Sequence, residues 1–297
     1  MSQSDARVIL HSTLASPDSP FAFEELDRRG ILTVAIPELE AARDCVQNEF
    51  HHKPVLAHTL EAMAHLEMLL RNVDAAVASI PFPENIVSPY YARIRESLAA
   101  PIGGSDSHIV LRLAMLLHDI DKPATSEKKA NGRITFYGHD VRGAQTARAI
   151  SHRLGLSESA ADAVALLVRH HLRLGFLERD AGSDLRLVRR FIRALGSLVP
   201  HEILLSLADR LASRGKAVTQ EQIDAHFKIA ARVLAEYYEP APVIPPLLSG
   251  DEIMTALGIP EGPEVGRLQN AVEEARARRE IRTKRAAIAL IRKLTNK

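Results

Sequence analysis

The sequence predicts an all-α protein. Apolar residues recur at helical spacing, most plainly in Leu56, Leu60, Met63, Leu66 and Leu70. Helix signals punctuate the chain: capping boxes at Thr219-x-x-Gln222 and Ser249-x-x-Glu252, and glycines at Gly30, Gly155 and Gly196 where helices should close. Against these stands one β signal, Ile134-Thr135-Phe136-Tyr137, in a short extended segment near 132–137.

Composition narrows the classes. At 297 residues and 46% hydrophobic, the chain can bury a large core as one long helical unit or two packed lobes. A net charge of +1 argues neither for nor against a nucleic-acid partner, so only local clusters can. The single cysteine, Cys45, excludes an internal disulfide framework. The N-terminus lacks a basic region followed by an apolar run, and no apolar run approaches the ~20 residues of a membrane helix. The expectation is a cytoplasmic protein with no membrane partner. Thirteen histidines are the compositional oddity.

Taken in order, residues 1–50 read as an N-terminal arm, with Phe23, Leu26 and Leu32 around Gly30 and a helix start at Pro37-Glu38-Leu39-Glu40. His51 and His52 precede Pro54 and read as surface residues, with a supporting role near a site as the alternative. A long helix follows from Lys53 to about Val77. His58 lies beside its apolar stripe, and His65, roughly 10 Å further along the axis, reads as structural. Pro81, Pro83 and Pro89 make 80–89 a loop, and Pro101–Gly104 makes another. Ser105 or Asp106 caps the next helix. Ala124–Gly132 is polar and lysine-rich, read as a lid, and His139 opens a helix that closes at Gly155. Ser157 caps one running to His170 and His171, Ser183 or Asp184 starts another, and Pro200 begins the helix of Asp209. The proline-rich stretch 240–246 reads as a linker. Beyond it the helical end is basic, with Arg276, Arg278, Arg279, Arg282, Lys284, Arg285, Arg292 and Lys293.

The chemistry centres on Leu111–Pro123, LRLAMLLHDIDKP. A helix with Leu113, Leu116 and Leu117 delivers His118 and Asp119 side by side at its end. Imidazole and carboxylate are ligands for Fe, Mn, Ni or Zn. Adjacent helix positions differ by about 100°, so one ion can meet both only beyond the helix end, against other helices. Lys122 can neutralise a bound phosphate, and Pro123 should stop the helix.

With His58 upstream, then His139, His170 and His171, then Asp209, the order of these residues resembles that of the HD-domain metal-dependent phosphohydrolases. A closer resemblance covers about Phe23 to the C-terminus. PELEAARDCVQNEFHHKPVLAHTLEAM, MLLHDIDKPAT, GRITFYGHDVRGAQTA, LVRHHLRL and LLSGDEIMTALGIPEGPEVGRLQNAVEEARARREI are similar to the body and tail of bacterial tRNA nucleotidyltransferases (CCA-adding enzymes) of the poly(A) polymerase type. The resemblance implies an HD helical bundle over 51–239 and a helical basic tail domain over 240–297. The Gly-Ser loop and D-x-D motif of those enzymes' catalytic head are not found in residues 1–50, so nucleotide addition by this chain alone is not expected. Asp121 stands where the family pattern has glycine.

Carried over by position, the resemblance makes His58, His118, Asp119 and Asp209 metal ligands. His139 and His171 would be the further ligands of two-metal members, with His170 as the alternative to His171. Asp119 would bridge two ions ~3.5–4 Å apart that generate the nucleophile from water. Asp119 and Lys122 are the catalytic candidates, and Lys122, Arg142, Arg173 and His170 the substrate-binding ones. The cofactor implied is one or two divalent ions: Mn, Fe, Ni, Co, Zn or Mg. The activity implied is phosphodiester or phosphomonoester hydrolysis on a nucleotide, a 2′,3′-cyclic phosphate or an RNA end. The alternative is a stand-alone tRNA- or RNA-binding module with a weak or inactive metal site.

Overall fold

Ser2 opens the chain's first helix, α1 (Gln3–Ala15), in a capping box with Asp5, and Ala6, Leu10 and Leu14 form its buried stripe. Gly30, at φ 68°, turns the chain between α2 (Ala22–Arg28) and α3 (Ile31–Ala35). Pro37–Ala42 forms a 3-10 turn, and the long α4 runs Val55–Ala75. The computed structural model describes residues 1–75, 83–180, 184–240, 245–278 and 280–295. The expected helix end at Val77, Pro81, Ser183, residues 241–244 of the proline-rich stretch and Arg279 lie outside them.

After α5 (Tyr91–Leu98), Asp106 caps α6 (Ser107–Leu117), every residue of which is buried except His108. Each fully buried leucine in such a helix contributes roughly 1.5–3 kcal/mol. Pro123 does not stop a helix. α6 has already ended at Leu117, and Pro123 sits in the first turn of a short α7 (Lys122–Thr125), where a proline lacks no needed donor. The expected extended segment pairs with part of the expected lid. Strand β1 (Glu127–Lys128) runs antiparallel to β2 (Ile134–Thr135), with Glu127 opposite Thr135.

Helices α8 (His139–Arg153), α9 (Glu158–His170), α10 (Arg173–Asp180), α11 (Leu185–Leu195), α12 (Val199–Ala212) and α13 (Gln220–Tyr238) complete the first compact unit, Met1–Pro240. Helix α9 packs along α8 and α6, and α12 along α4. Residues 1–50 share this core through Leu10, Phe23, Leu32 and Leu39. The stretch Leu185–Ala212, which comprises α11, a 3-10 turn and α12, is long and apolar enough to cross a membrane by length and composition alone, and 72% of its apolar window is buried in the fold.

A buried ion pair ties the first helix to the bundle. Arg112 Nε donates to Glu67 Oε1 at 2.6 Å, and Arg112 Nη1 donates to the carbonyls of Leu14 and Ala15 at 2.8 and 3.2 Å. It thereby satisfies acceptors that the end of α1 leaves open.

The second unit, Ala241–Lys297, holds α14 (Gly250–Leu257), α15 (Pro263–Ala277) and α16 (Lys284–Thr295) around Leu248, Ile253, Leu268, Val272, Ala287 and Ile291. Ser249 and Glu252 form the expected capping box. Of the basic residues here, Arg276 pairs with Glu273, Arg278 with Glu280, and Lys284 with Glu252.

Candidate metal centre

Five segments deliver the ligand candidates. His58 comes from the first turn of α4, with its backbone N–H on the Pro54 carbonyl. His118 and Asp119 follow the C-terminal end of α6. Gly138, at φ 80°, swings the chain out of β2 so that His139 starts α8 with its ring turned inward. His171 ends α9, and Asp209 lies in the last turn of α12.

These residues meet as two groups, His58 with His118 and Asp209, and Asp119 with His139 and His171, the donor atoms of each group within 4.8 Å of one another. Asp119 faces both groups. Its Oδ2 lies 3.1 Å from His118 Nε2 and 3.9 Å from His58 Nε2, and its Oδ1 lies 3.4 Å from His139 Nε2 and 3.6 Å from His171 Nε2. His58 Nε2 is 2.9 Å from Asp209 Oδ1.

The donor chemistry fits a divalent transition metal. Four imidazoles and two carboxylates, nearly all buried, present inward nitrogens and oxygens. His118 Nε2 and both Asp119 oxygens are buried without a hydrogen bond, an arrangement whose cost is high unless something else satisfies them. Three rings also have their outer nitrogen fixed. Nδ1–H of His118 donates to Met115 O at 2.7 Å, that of His139 to Phe136 O at 2.6 Å, and that of His171 to Val168 O at 2.7 Å. Each bond leaves Nε2 as the inward donor, as metal-ligating histidines require.

The charges are tightly coupled. Burial opposes the charged form of Asp119, but His118 and Lys122 beside it outweigh burial and hold its carboxyl well below the usual range. Burial likewise opposes an ionised Asp209, and the His58 hydrogen bond overrides it. Burial works against a charged His118, yet Asp119 draws its pKa above the ordinary value. His171 moves the other way, because burial outweighs its contact with Asp119.

Lys122 is buried at this centre. Its Nζ lies 2.6 Å from Asp119 Oδ2, a charge pair off the hydrogen-bonding direction, and donates to Gln47 Oε1 at 2.7 Å. The remaining substrate candidates lie in neither ligand group. Arg142 approaches Asp121 at 3.6 Å, while Arg173 donates to His170 Nδ1 at 3.3 Å. Burial and the neighbouring Arg173 and Arg169 push His170 down to about 4. Asp121 takes φ −100° and ψ 9°, a conformation that does not need glycine. Its Oδ2 accepts from Thr146 Oγ1 at 2.7 Å.

Two neighbours matter beyond the residues the sequence favours: Gln47, which it does not single out, and His51, for which a supporting role is only the alternative. Gln47 braces Lys122 and carries no signal in the chain. His51 does not sit at the surface: its ring meets that of His58 edge-on, with centroids 4.5 Å apart. Burial, with Lys122 and His58 nearby, lowers its pKa to about 3, so it is neutral. The next residue, His52, points away to Glu61. Position just before the helix of His58 was the available clue.

A family model described as the HD domain matches residues 55–214. Over 96% of its length the chain is 33% identical to the A-adding tRNA nucleotidyltransferase of Deinococcus radiodurans, and it covers 56% of that protein. Over 94% it is 36% identical to the CC-adding tRNA nucleotidyltransferase of Thermus thermophilus, covering 54%. A bifunctional uridylyltransferase/uridylyl-removing enzyme of Ruegeria pomeroyi is 29% identical over 64% of the chain, which covers 18% of it. The chain thus spans about half the length of the two tRNA nucleotidyltransferases.

Proposed function

The chain belongs to the HD-domain family, and on that premise we propose that it is a metal-dependent phosphohydrolase whose substrate is a nucleotide, a 2′,3′-cyclic phosphate or an RNA end. One observation carries the reading: Asp119 belongs to one three-residue donor group and reaches toward the other. His58, His118, Asp119 and Asp209 would hold one divalent ion, and Asp119, His139 and His171 a second. Such ions supply Lewis acidity toward a phosphoryl oxygen and lower the pKa of water. The catalytic domain would span 51–239, with 1–50 as its N-terminal arm and 240–297 as a basic RNA-holding tail.

The chain's own residues have distinct parts in this proposal. The histidine Nδ1 bonds place the proton of each neutral ring on the outer nitrogen and aim the inward one at the centre. Lys122, braced by Gln47, offsets the charge of Asp119 and stands ready for charge developing on phosphoryl oxygens. Arg142, Arg173 and His170 would contact substrate phosphates beyond the centre. The names of the two tRNA nucleotidyltransferases favour a tRNA end among the candidate substrates. They also support the second reading, an RNA-binding module that holds tRNA without hydrolysis.

Metal content separates the readings. Protein purified without chelator and titrated with Mn²⁺ should approach two ions per chain and hydrolyse a 2′,3′-cyclic nucleotide. Asp119→Ala should lose metal and turnover together, and the His139→Ala/His171→Ala double variant should keep one ion and lose most turnover. His65→Ala should retain both. A chain that binds RNA but takes up no Mn²⁺ supports the module, and equal uptake by Asp119→Ala and His65→Ala sinks the ligand assignment.

A further inference from the structure

Four histidines aim Nε2 into the centre, and three of them anchor the opposite nitrogen on the carbonyl three residues back. His58 differs. It sits in the first turn of α4, its Nε2 faces Asp209, and its Nδ1 is buried without a partner. A buried ring nitrogen without a partner is costly, and a ligating ring without an outer acceptor is poorly fixed in tautomer and rotation.

The side chain lying against that ring is His51, edge-on at 72° between ring planes. His51 is itself held from behind. Its Nδ1 lies 3.5 Å from Ser213 Oγ, in the residue that follows α12. The backbone of 49–51 is clamped to the same loop: Gly215 N–H donates to Phe50 O at 2.9 Å, and Ala217 N–H to Glu49 O at 3.1 Å. The approach is so close that a Cβ on Gly215 would overlap backbone atoms of Glu49, Phe50 and His51. The helix that brings Asp209 therefore also fixes His51 beside His58.

We propose that His51 is the positioning residue of His58: with a metal ion on His58 Nε2, the His51 Nε2 would accept the His58 Nδ1–H, a bond the structure does not form, while its own Nδ1–H is directed at Ser213. The acceptor that the other three rings find three residues back in their own segments would come to His58 from another segment. The contact would hold His58 in the tautomer that offers Nε2 to a metal. This inference rests on the metal reading of the centre and is independent of the substrate.

The test uses the full chain and Mn²⁺ alone, with affinity measured by calorimetry. His51→Ala should weaken binding at the tighter position about 10–100-fold, the range for losing such an outer partner. His51→Gln should recover most of that affinity, because its amide reaches the position of the ring Nε2. His51→Asn reaches only the position of Nδ1 and should behave like alanine. Failure of Gln to restore binding, or equal recovery by Gln and Asn, overturns the assignment. Wild-type binding unchanged in His51→Ala removes this inference alone, whereas a wild type that takes up no Mn²⁺ removes the metal reading with it.

Discussion

Asp121 illustrates how one side chain can depart from a family pattern at little cost. Its negative φ makes glycine unnecessary, and its carboxylate is occupied by Thr146 on α8. Replacing it by glycine removes that charged acceptor and loosens the unfolded chain. Asp121→Gly should therefore cost about 1–3 kcal/mol in a denaturant titration while leaving hydrolysis within about twofold. A tenfold gain in turnover would mean that the carboxylate obstructs substrate after all. At this scale the sequence was most legible where chemistry and helix ends coincide: all six ligand candidates fall in the two donor groups. Gln47 was not legible and His51 only as the less favoured alternative, because the contact with Lys122 and the clamp on 49–51 are tertiary and no local pattern encodes them.

Among the helices, α1 shows what a tertiary contact contributes. Its carbonyl end is closed by Arg112, whose charge is balanced by Glu67, both buried. Arg112→Met should leave Glu67 charged and alone and cost about 3–5 kcal/mol. Arg112→Met with Glu67→Leu should recover much of that loss in the same unfolding assay. If the double variant is as unstable as the single one, the charge pair is not the source of the cost. The long amphipathic and capped helices could be read in advance. Helices α5 and α10 could not: each is 8 residues long, and their formation depends on the bundle that receives them, whereas α1 carried a signal in its Ser2–Asp5 cap that went unused. The hairpin was half visible, since Ile134–Thr135 has β character and its partner Glu127–Lys128 has none.

For the whole molecule, acid stability carries a readable signature. His201 is 2% exposed, and its Nε2 lies 2.9 Å from Ser107 Oγ, so α12 and α6 share it. Burial, aided by nearby His108, lowers its pKa to about 4. The unfolded imidazole protonates at about 6.5. The unfolded state therefore binds more protons between those values, and stability is fully present above pH ~6.5, falls toward pH ~4 and flattens below. Unfolding at pH 7 and pH 4.5 should show wild type losing about 2 kcal/mol more than His201→Gln. Parallel losses would assign the acid sensitivity elsewhere. The all-α class was legible in the whole sequence because helical periodicity and caps agree. The burial of α11 and α12 was not, because apolar composition alone does not say what covers a helix.

The spread of the centre along the chain has a kinetic consequence. His58 and Asp209 touch across 151 positions, and the intervening ligands belong to three further helix ends. Closing so long a loop is entropically expensive and gains nothing until both partners are in place. No early local intermediate can own the full donor set. Completion of the cluster is therefore a late event in folding, and a chain released with α12 undocked would be recognisable by its missing sixth donor long before its helix content betrayed it.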